Sequence, residues 1–140
     1  MNLKFAKNNP KIWIKKFPWK KHKDHKYSRG KLVVLGSQKH MTGATILSAE
    51  SALRVGTGSV KILCSNKTLS IYSTKFPSVL KEEINNLKSL SRFVGRETIP
   101  TYLIGPGAGS NNLTKQKTRL ILKKIKKVVV DADALTCFKN

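Results

Sequence analysis

The sequence predicts an α/β protein with a mostly parallel sheet and helices on both of its faces. Short apolar runs rich in β-branched residues alternate with segments of helical character along the chain, an order typical of parallel sheets. Two of these runs, residues 101–104 and 128–130, lead directly into glycine-rich or acidic residues. Open parallel sheets bind ligands at the carboxyl ends of their strands. These two segments are therefore the first candidates for a site.

The size of the chain limits its organisation. Its 140 residues suffice for one modest domain, and a hydrophobic fraction of 39% argues against wholesale disorder. No apolar stretch approaches the roughly 18 residues that a membrane span needs. Residues 1–16 carry scattered charges and lack the apolar block of a signal peptide. We therefore expect a cytoplasmic protein that does not contact a membrane.

The charge is strongly positive, at +21, and 23 of the 28 basic residues are lysines. Lysine is a compact, strongly hydrated charge and is less suited than arginine to selective recognition of bases. The composition therefore predicts salt-sensitive, non-specific attraction to polyanions. A dedicated basic nucleic-acid-binding protein remains an alternative at this point.

The first part of the chain predicts a basic lead-in over residues 1–18, followed by a βαβ unit. The lead-in is expected to be extended, with aromatic residues that pin it to the domain, or else mobile. Residues 32–35 and 59–64 are typical of buried strands, and residues 42–54 of a helix that Gly56 ends. The residues of this helix expected to pack on the sheet are Ala44, Leu47, Ala49, Ala52 and Leu53.

The second part predicts two further strands and additional helices. A helix begins within residues 67–72, and residues 79–90 form another after Pro77. Residues 101–104 are a strand. Asn111 or Asn112 caps a helix that runs to about Lys127, and residues 128–130 are the last strand. Residues 79–90 would bury Leu80, Ile84, Leu87 and Leu90; the last helix would bury Leu113, Leu120, Ile121 and Ile125 and expose Lys115, Arg119, Lys123 and Lys127.

Two strand-to-helix loops carry the ligand-binding signals. Gly105-Pro-Gly-Ala-Gly109 lets a ligand approach the backbone, and free N–H groups near a helix start favour phosphate. The alternative is a tight turn without a ligand. His40-Met-Thr-Gly-Ala44 places small residues at a helix mouth, although simple helix initiation by Thr42 explains it equally well.

Acidic residues follow the last predicted strand. Asp131 and Asp133 lie two residues apart and are expected to project to the same side, where they suit a polyhydroxylated or phosphorylated ligand. Capping of a following turn is the alternative. Cys64 and Cys137 are too few and too far apart in sequence for a disulfide framework or a metal knuckle, so no metal site is predicted.

Six motifs follow one another in a fixed order from about Trp19 to the end of the sequence. They are His25-Lys-Tyr-Ser-Arg-Gly30, Val33-Val-Leu-Gly36, Met41-Thr-Gly-Ala44, Ala52-Leu-Arg-Val-Gly56, Ile104-Gly-Pro-Gly107 and Asp131-Ala-Asp-Ala-Leu135. In order and spacing, this set resembles the ADP- or ATP-dependent NAD(P)H-hydrate dehydratases. Members of that family phosphorylate the ring hydroxyl of hydrated NADH or NADPH with ADP or ATP and Mg²⁺, and loss of the phosphate restores the coenzyme.

The resemblance implies a fold and a substrate site. It implies a ribokinase-like fold, with residues 19–140 as the N-terminal half of a dehydratase domain. It also implies that the hydrated coenzyme is the substrate. The residues that it assigns to the substrate site are Gly43, Ala44, Gly105, Gly107, Asp131 and Asp133.

The sequence also departs from the family pattern. Thr57 and Ser59 stand in Gly-Thr-Gly-Ser, where the family usually has Gly-Ala-Gly-Leu. The family continues with a Pro-His-Glu-Gly-type segment, a Lys-Gly segment for the nucleotide and a Gly-Thr-Gly-Asp loop whose aspartate activates the hydroxyl. This sequence contains none of these segments, so no catalytic residue and no ADP, ATP or Mg²⁺ site is predicted within it.

The missing segments leave two expectations open. The chain is active only if a second polypeptide supplies the C-terminal half, or it is a truncated, inactive remnant. A parallel sheet that stops after Val130 exposes an edge and an apolar face. We therefore expect the isolated chain to oligomerise or aggregate.

Overall fold

The computed structural model describes residues 6–96 and 100–139, in which five parallel strands form one sheet. The strand order is β3-β2-β1-β4-β5, and every neighbouring pair is parallel. The strands are β1 (Lys31–Leu35), β2 (Ser59–Cys64), β3 (Leu80–Glu83), β4 (Thr101–Ile104) and β5 (Val128–Val130). The predicted parallel α/β architecture is confirmed.

Six α-helices accompany the sheet within the described residues. They are α1 (Pro10–Trp13), α2 (Thr42–Val55), α3 (Asn66–Lys75), α4 (Leu87–Arg96), α5 (Asn112–Lys124) and α6 (Asp133–Thr136). Short 3-10 turns follow α1 at Ile14–Lys16 and precede α2 at Lys39–Met41. None of these helices has the length and apolar character needed to cross a membrane.

Two cores lie on opposite faces of the sheet, because successive strand side chains point to opposite faces. Val34 packs with Ala49 of α2 and Tyr72 of α3. Val33 and Leu35, its neighbours in β1, pack on the other face with residues that include Leu90 of α4 and Ile121 of α5. The sheet is therefore covered on both faces, as predicted.

The prediction of a helix over residues 79–90 is wrong. Residues 80–83 form β3, which pairs with β2, and α4 begins only at Leu87. Leu80 is 56% exposed, while Val79 and Ile84 are buried. The apolar residues between positions 80 and 90 are spaced three or four residues apart, as on one face of a helix, although they belong to β3, the turn after it and α4. The break lies at Asn86, whose side-chain oxygen accepts a hydrogen bond of 2.8 Å from the backbone N–H of Ser89.

Two helices bury other residues than expected. Leu47 of α2 is 65% exposed, and Thr45 is buried instead. In α5, Leu113 is exposed, and the buried positions are Thr114, Thr118 and Ile121. The hydroxyl of Thr118 donates a 2.8 Å hydrogen bond to the carbonyl of Thr114, which satisfies it inside the core. The helix ends at Lys124 rather than Lys127, because Ile125 is extended.

The basic lead-in is partly helical, contrary to the extended form expected. Asn9 caps the short helix α1 by accepting a hydrogen bond from the N–H of Lys11. The ring of Phe17 lies 6.1 Å from that of Trp13 and 4.6 Å from that of Trp19, between ring centroids. Both tryptophans remain exposed, so the aromatic residues pack mainly on one another.

Residues 24–30 attach the preceding segment to the domain. The Arg29 guanidinium donates a hydrogen bond to the carbonyl of Gly56, just after α2, and lies 3.6 Å from the Asp24 carboxylate. A Cβ at Gly58 would collide with the carbonyl of Lys26. The motifs at residues 25–30 and 52–56 therefore contact each other, which gives both of them a structural role.

Candidate functional site

The candidate site lies where the strand order reverses. From β1 the chain proceeds to β2 and β3 on one side of the sheet, and then returns to place β4 and β5 on the other. The loops after β1 and β4 therefore leave the carboxyl edge of the sheet next to each other and diverge. This is the position at which open α/β sheets form a ligand crevice.

The two loops contact each other directly at Gly107. The backbone N–H of Gln38 donates a 2.9 Å hydrogen bond to the Gly107 carbonyl. A Cβ at Gly107 would lie 2.9 Å from the Cβ atoms of Ser37 and Met41, and the φ angle of +66° independently favours glycine. Gly107 is therefore required for the close approach of the loops.

Gly105 has a corresponding role between β4 and β5. Its φ angle is +127°, and a Cβ there would collide with the backbone carbonyl of Asp131. The N–H of Asp131 donates a 3.0 Å hydrogen bond to the carbonyl of Ile104. The glycine thus lets the ends of the two strands lie against each other.

The two acidic residues have different environments. The Asp133 carboxylate is partly buried and accepts a 2.8 Å hydrogen bond from the backbone N–H of Gly109. Asp131 is exposed at the end of β5. Asp133 therefore fixes the glycine loop, a role that neither the ligand interpretation nor simple capping of a turn anticipates.

Gly43 and Ala44 lie in the first turn of α2. Apart from its chain neighbours and the backbone of its own helix, no atom of residues 6–96 and 100–139 lies within 4 Å of the position that a Cβ of Gly43 would take, and Gly43 is exposed. Packing within the described residues therefore does not explain this glycine, and open space adjoins the helix mouth. Thr42 is the first helical residue and Met41 is the N-cap, without a side-chain capping bond, so Thr42 does not initiate the helix as a cap.

A buried polar cluster that the sequence interpretation missed supports the first loop. The N–H of Ser37 donates a 2.9 Å hydrogen bond to the hydroxyl oxygen of Thr45 and a 3.2 Å hydrogen bond to that of Tyr72. The side-chain hydroxyls of Ser37 and Thr45 also share a hydrogen bond. The sequence feature that could have indicated this cluster is Thr45, a polar residue one helical turn before Ala49 and therefore on the buried face of α2.

Cys64 lies at the end of β2, near this edge of the sheet. Burial, reinforced by the negative charge of Glu83, raises the pKa of its thiol to about 11. The thiol is therefore protonated near neutral pH, which excludes a ready thiolate nucleophile. Both cysteines are free thiols, and within residues 6–96 and 100–139 no three His, Cys, Asp or Glu side chains are placed to hold a metal ion.

The structure brings four of the six predicted site residues together and places the other two close by. Gly105 contacts Asp131, and Asp133 bonds the loop that contains Gly107. Gly107 in turn packs on Met41, directly before the turn that holds Gly43 and Ala44. The result is a strip of backbone and small residues along the carboxyl edge of the sheet, at the reversal of strand order, with an exposed carboxylate at one side; this strip is called the cleft below. Such a cleft suits a phosphorylated or polyhydroxylated ligand.

Sequence comparison matches residues 32–140 to the model of the NAD(P)H-hydrate dehydratase family. A bifunctional NAD(P)H-hydrate repair enzyme from Dictyoglomus turgidum is 36% identical over 126 residues, which cover 83% of this chain and 24% of that enzyme. The ADP-dependent (S)-NAD(P)H-hydrate dehydratase of Listeria monocytogenes is 27% identical over 135 residues, covering 94% of this chain and 48% of the relative. The chain thus spans half or less of the length of these relatives.

Solved structures show the same fold. A ribokinase-like superfamily protein from Enterococcus faecalis superposes with a TM-score of 0.79 at 22% identity, over 99% of this chain and 50% of its own. The ADP/ATP-dependent NAD(P)H-hydrate dehydratase of Bacillus subtilis, co-crystallised with ATP/Mg²⁺, gives a TM-score of 0.68 at 23% identity, over 84% of this chain and 42% of its own. The predicted ribokinase-like fold is confirmed.

Proposed function

The chain belongs to the NAD(P)H-hydrate dehydratase family, and we propose that it forms the substrate-binding half of such an enzyme. The observation that carries this proposal is the close packing of Gly107 against Ser37 and Met41 where the loops after β1 and β4 meet, at the reversal of strand order. Residues 19–140 would make up this half of the domain, with residues 1–18 as a lead-in. Hydrated NADH or NADPH is the proposed ligand.

Each predicted site residue has a part in this proposal. Gly43 and Ala44 leave space at the mouth of α2 for the ligand. Gly105 and Gly107 let the second loop close against Asp131 and against Ser37 and Met41, which shapes the backbone surface on which the ligand is proposed to lie. Asp131, exposed at the rim, accepts hydrogen bonds from ligand hydroxyls, while Asp133 holds the loop in shape through Gly109.

The phosphoryl donor is proposed to bind outside this half. Relatives are named as ADP-dependent or ATP-dependent enzymes, and the solved relative was crystallised with ATP/Mg²⁺. The 140 residues contain neither the Lys-Gly segment nor the Gly-Thr-Gly-Asp loop that the resemblance associates with the nucleotide and the reacting hydroxyl. We therefore assign ADP or ATP and Mg²⁺ to the half of the domain that lies outside these 140 residues.

This division predicts that the chain alone is inactive. Enzymatic phosphoryl transfer depends almost entirely on positioning of the reactants and on stabilisation of the transition-state charge. The exposed Asp131 cannot supply both a nucleotide clamp and a base for the hydroxyl. The chain contributes binding and orientation of the coenzyme, and the acid–base and donor groups come from elsewhere.

A complementation assay tests the proposal. The chain is incubated with hydrated NADH, Mg²⁺ and either ADP or ATP, alone and with the separately produced second half of the Listeria monocytogenes relative. We expect recovery of NADH absorbance only in the mixture. Turnover by the chain alone would contradict the division of roles, and no turnover in either condition would favour an inactive remnant.

Two variants of the chain test whether any turnover by the mixture comes from this chain rather than from a contaminating enzyme. Gly107→Val places a side chain between the two loops and should abolish turnover by the mixture. Leu47→Gln, at an exposed position of α2, serves as the matched control and should retain it. Equal turnover by the two variants would show that the activity does not use this cleft.

A further inference from the structure

A hollow lies beside the two loops on the side of β2 and β3. It has a volume of about 190 Å³ and shares Gln38 and Ala108 with the two loops of the cleft. The end of β2 and the first turns of α5 form much of the remaining wall. Pockets that hold whole drug-sized ligands measure roughly 300–1,000 Å³. This hollow is therefore sized for one group of a larger ligand.

Lys117 of α5 is the single charged residue among the described residues that line the hollow. Burial lowers the pKa of its ammonium group. No carboxylate of the described residues forms an ion pair with it. An ammonium group withdrawn from water without a partner is unfavourable, and an anion bound beside it removes that cost.

The other polar walls of the hollow can supply donors, and its apolar walls suit an organic group. Gln38 and Asn111 contribute side-chain amides, and Ser65 contributes a hydroxyl. The lining residues include no Asp or Glu, while Leu63 and Leu90 form part of the apolar side. A phosphoryl group presents three strong acceptor oxygens, and lysine is a common ligand for it.

We propose that this hollow binds a phosphoryl group at Lys117. The inference rests on the proposed function in one respect: the phosphoryl group belongs to the coenzyme that occupies the adjoining cleft. Gln38 and Ala108 belong to the two loops and also line the hollow, so a ligand that lies against the loops can place one group in it. A phosphoryl group from free phosphate would have the same chemistry, and the experiment distinguishes these two sources.

Calorimetric titration of the whole chain with NADPH, NADH and inorganic phosphate tests this site. Lys117→Gln should weaken NADPH binding by about tenfold or more, the effect expected for loss of a charge-assisted hydrogen bond. Lys117→Arg should retain most of the affinity. Lys123→Gln removes the same charge from an exposed position of α5 and should bind like the parent chain.

The outcomes are separable. The proposal would be overturned if Lys117→Gln and Lys123→Gln weakened binding equally, or if neither variant weakened the binding of NADPH or of phosphate, since attraction would then be diffuse or absent. Lys117-dependent phosphate binding that NADPH displaces supports the site with the coenzyme as the source. Lys117-dependent phosphate binding without an effect on NADPH supports the site but assigns it to free phosphate. The complementation assay stands apart, because it measures turnover rather than this contact.

Discussion

At the scale of single residues, Gly107 and Gly43 differ in whether the surrounding protein leaves room for a side chain. Gly107→Ala places a Cβ 2.9 Å from the Cβ atoms of Ser37 and Met41 at a φ of +66°. We expect this change to lower the free energy of unfolding by about 1–3 kcal/mol. Gly43→Ala meets open space in a helix and should leave stability unchanged or slightly increased. Urea unfolding midpoints of both variants check this, and equal destabilisation would contradict it.

The Cys64 thiol is expected to make the free energy of unfolding depend on pH in the alkaline range. Its folded-state pKa is about 11, above the ordinary value of 9.0. The folded state therefore holds the proton more tightly, so the contribution is complete below pH 9 and is lost as the pH rises toward 11. We expect a loss of order 1–3 kcal/mol from this group.

The Cys64→Ala variant isolates this contribution from the lysines that titrate in the same range. Its free energy of unfolding is expected to be lower than that of the parent chain at pH 8, because of the cavity. It should then decline less steeply between pH 9 and pH 11. Parallel declines of the two proteins would show that the thiol does not contribute.

At the scale of elements, α6 and the glycine loop form one unit through Asp133. Asp133→Ala removes the acceptor of the Gly109 N–H and should cost about 1–2 kcal/mol of unfolding free energy. Asp131→Ala, at an exposed position two residues away, should cost much less. Chemical denaturation of both variants provides the measurement. A larger effect of Asp131→Ala would mean that Asp133 does not hold the loop.

The elements also show what the sequence could and could not predict. Strands β1, β2, β4 and β5 were predictable, because each is an apolar run next to a glycine, a proline or a charged segment. Strand β3 was not, since Leu80 is exposed and Ile84 follows the strand. The spacing of the two residues therefore indicates a helix that tertiary pairing with β2 overrides.

The site was predictable in its motifs but not in its contacts. The glycine and aspartate positions follow strand ends, so their approximate location followed from topology. The bond from Gly109 to Asp133 joins residues that are 24 apart. The Ser37–Thr45–Tyr72 cluster joins three separate elements. Such contacts depend on how helices seat on the sheet, which local sequence patterns do not specify.

At the scale of the whole molecule, the net charge of +21 predicts binding to polyanions without sequence preference. Single-stranded and duplex DNA of several sequences should bind with similar affinity, and each affinity should fall steeply as salt rises from 50 to about 200 mM. Fluorescence anisotropy measures both properties. Tight binding that is salt-resistant and sequence-selective would instead support a dedicated nucleic-acid-binding function.

The edge at β5 predicts self-association of the isolated chain. β5 has one neighbour, β4, in the described sheet, and Val129 is 52% exposed there. Exposed apolar edges recruit further strands, and a charge on the edge opposes this. Light scattering of the parent chain should show a mass above 15.6 kDa that rises with concentration. Val129→Lys should shift it toward the monomer, whereas Val55→Lys, on an exposed site of α2 away from the edge, should not. A parent chain that stays monomeric at high concentration would contradict the prediction, and an equal response of the two variants would show that net charge, rather than the edge, controls association.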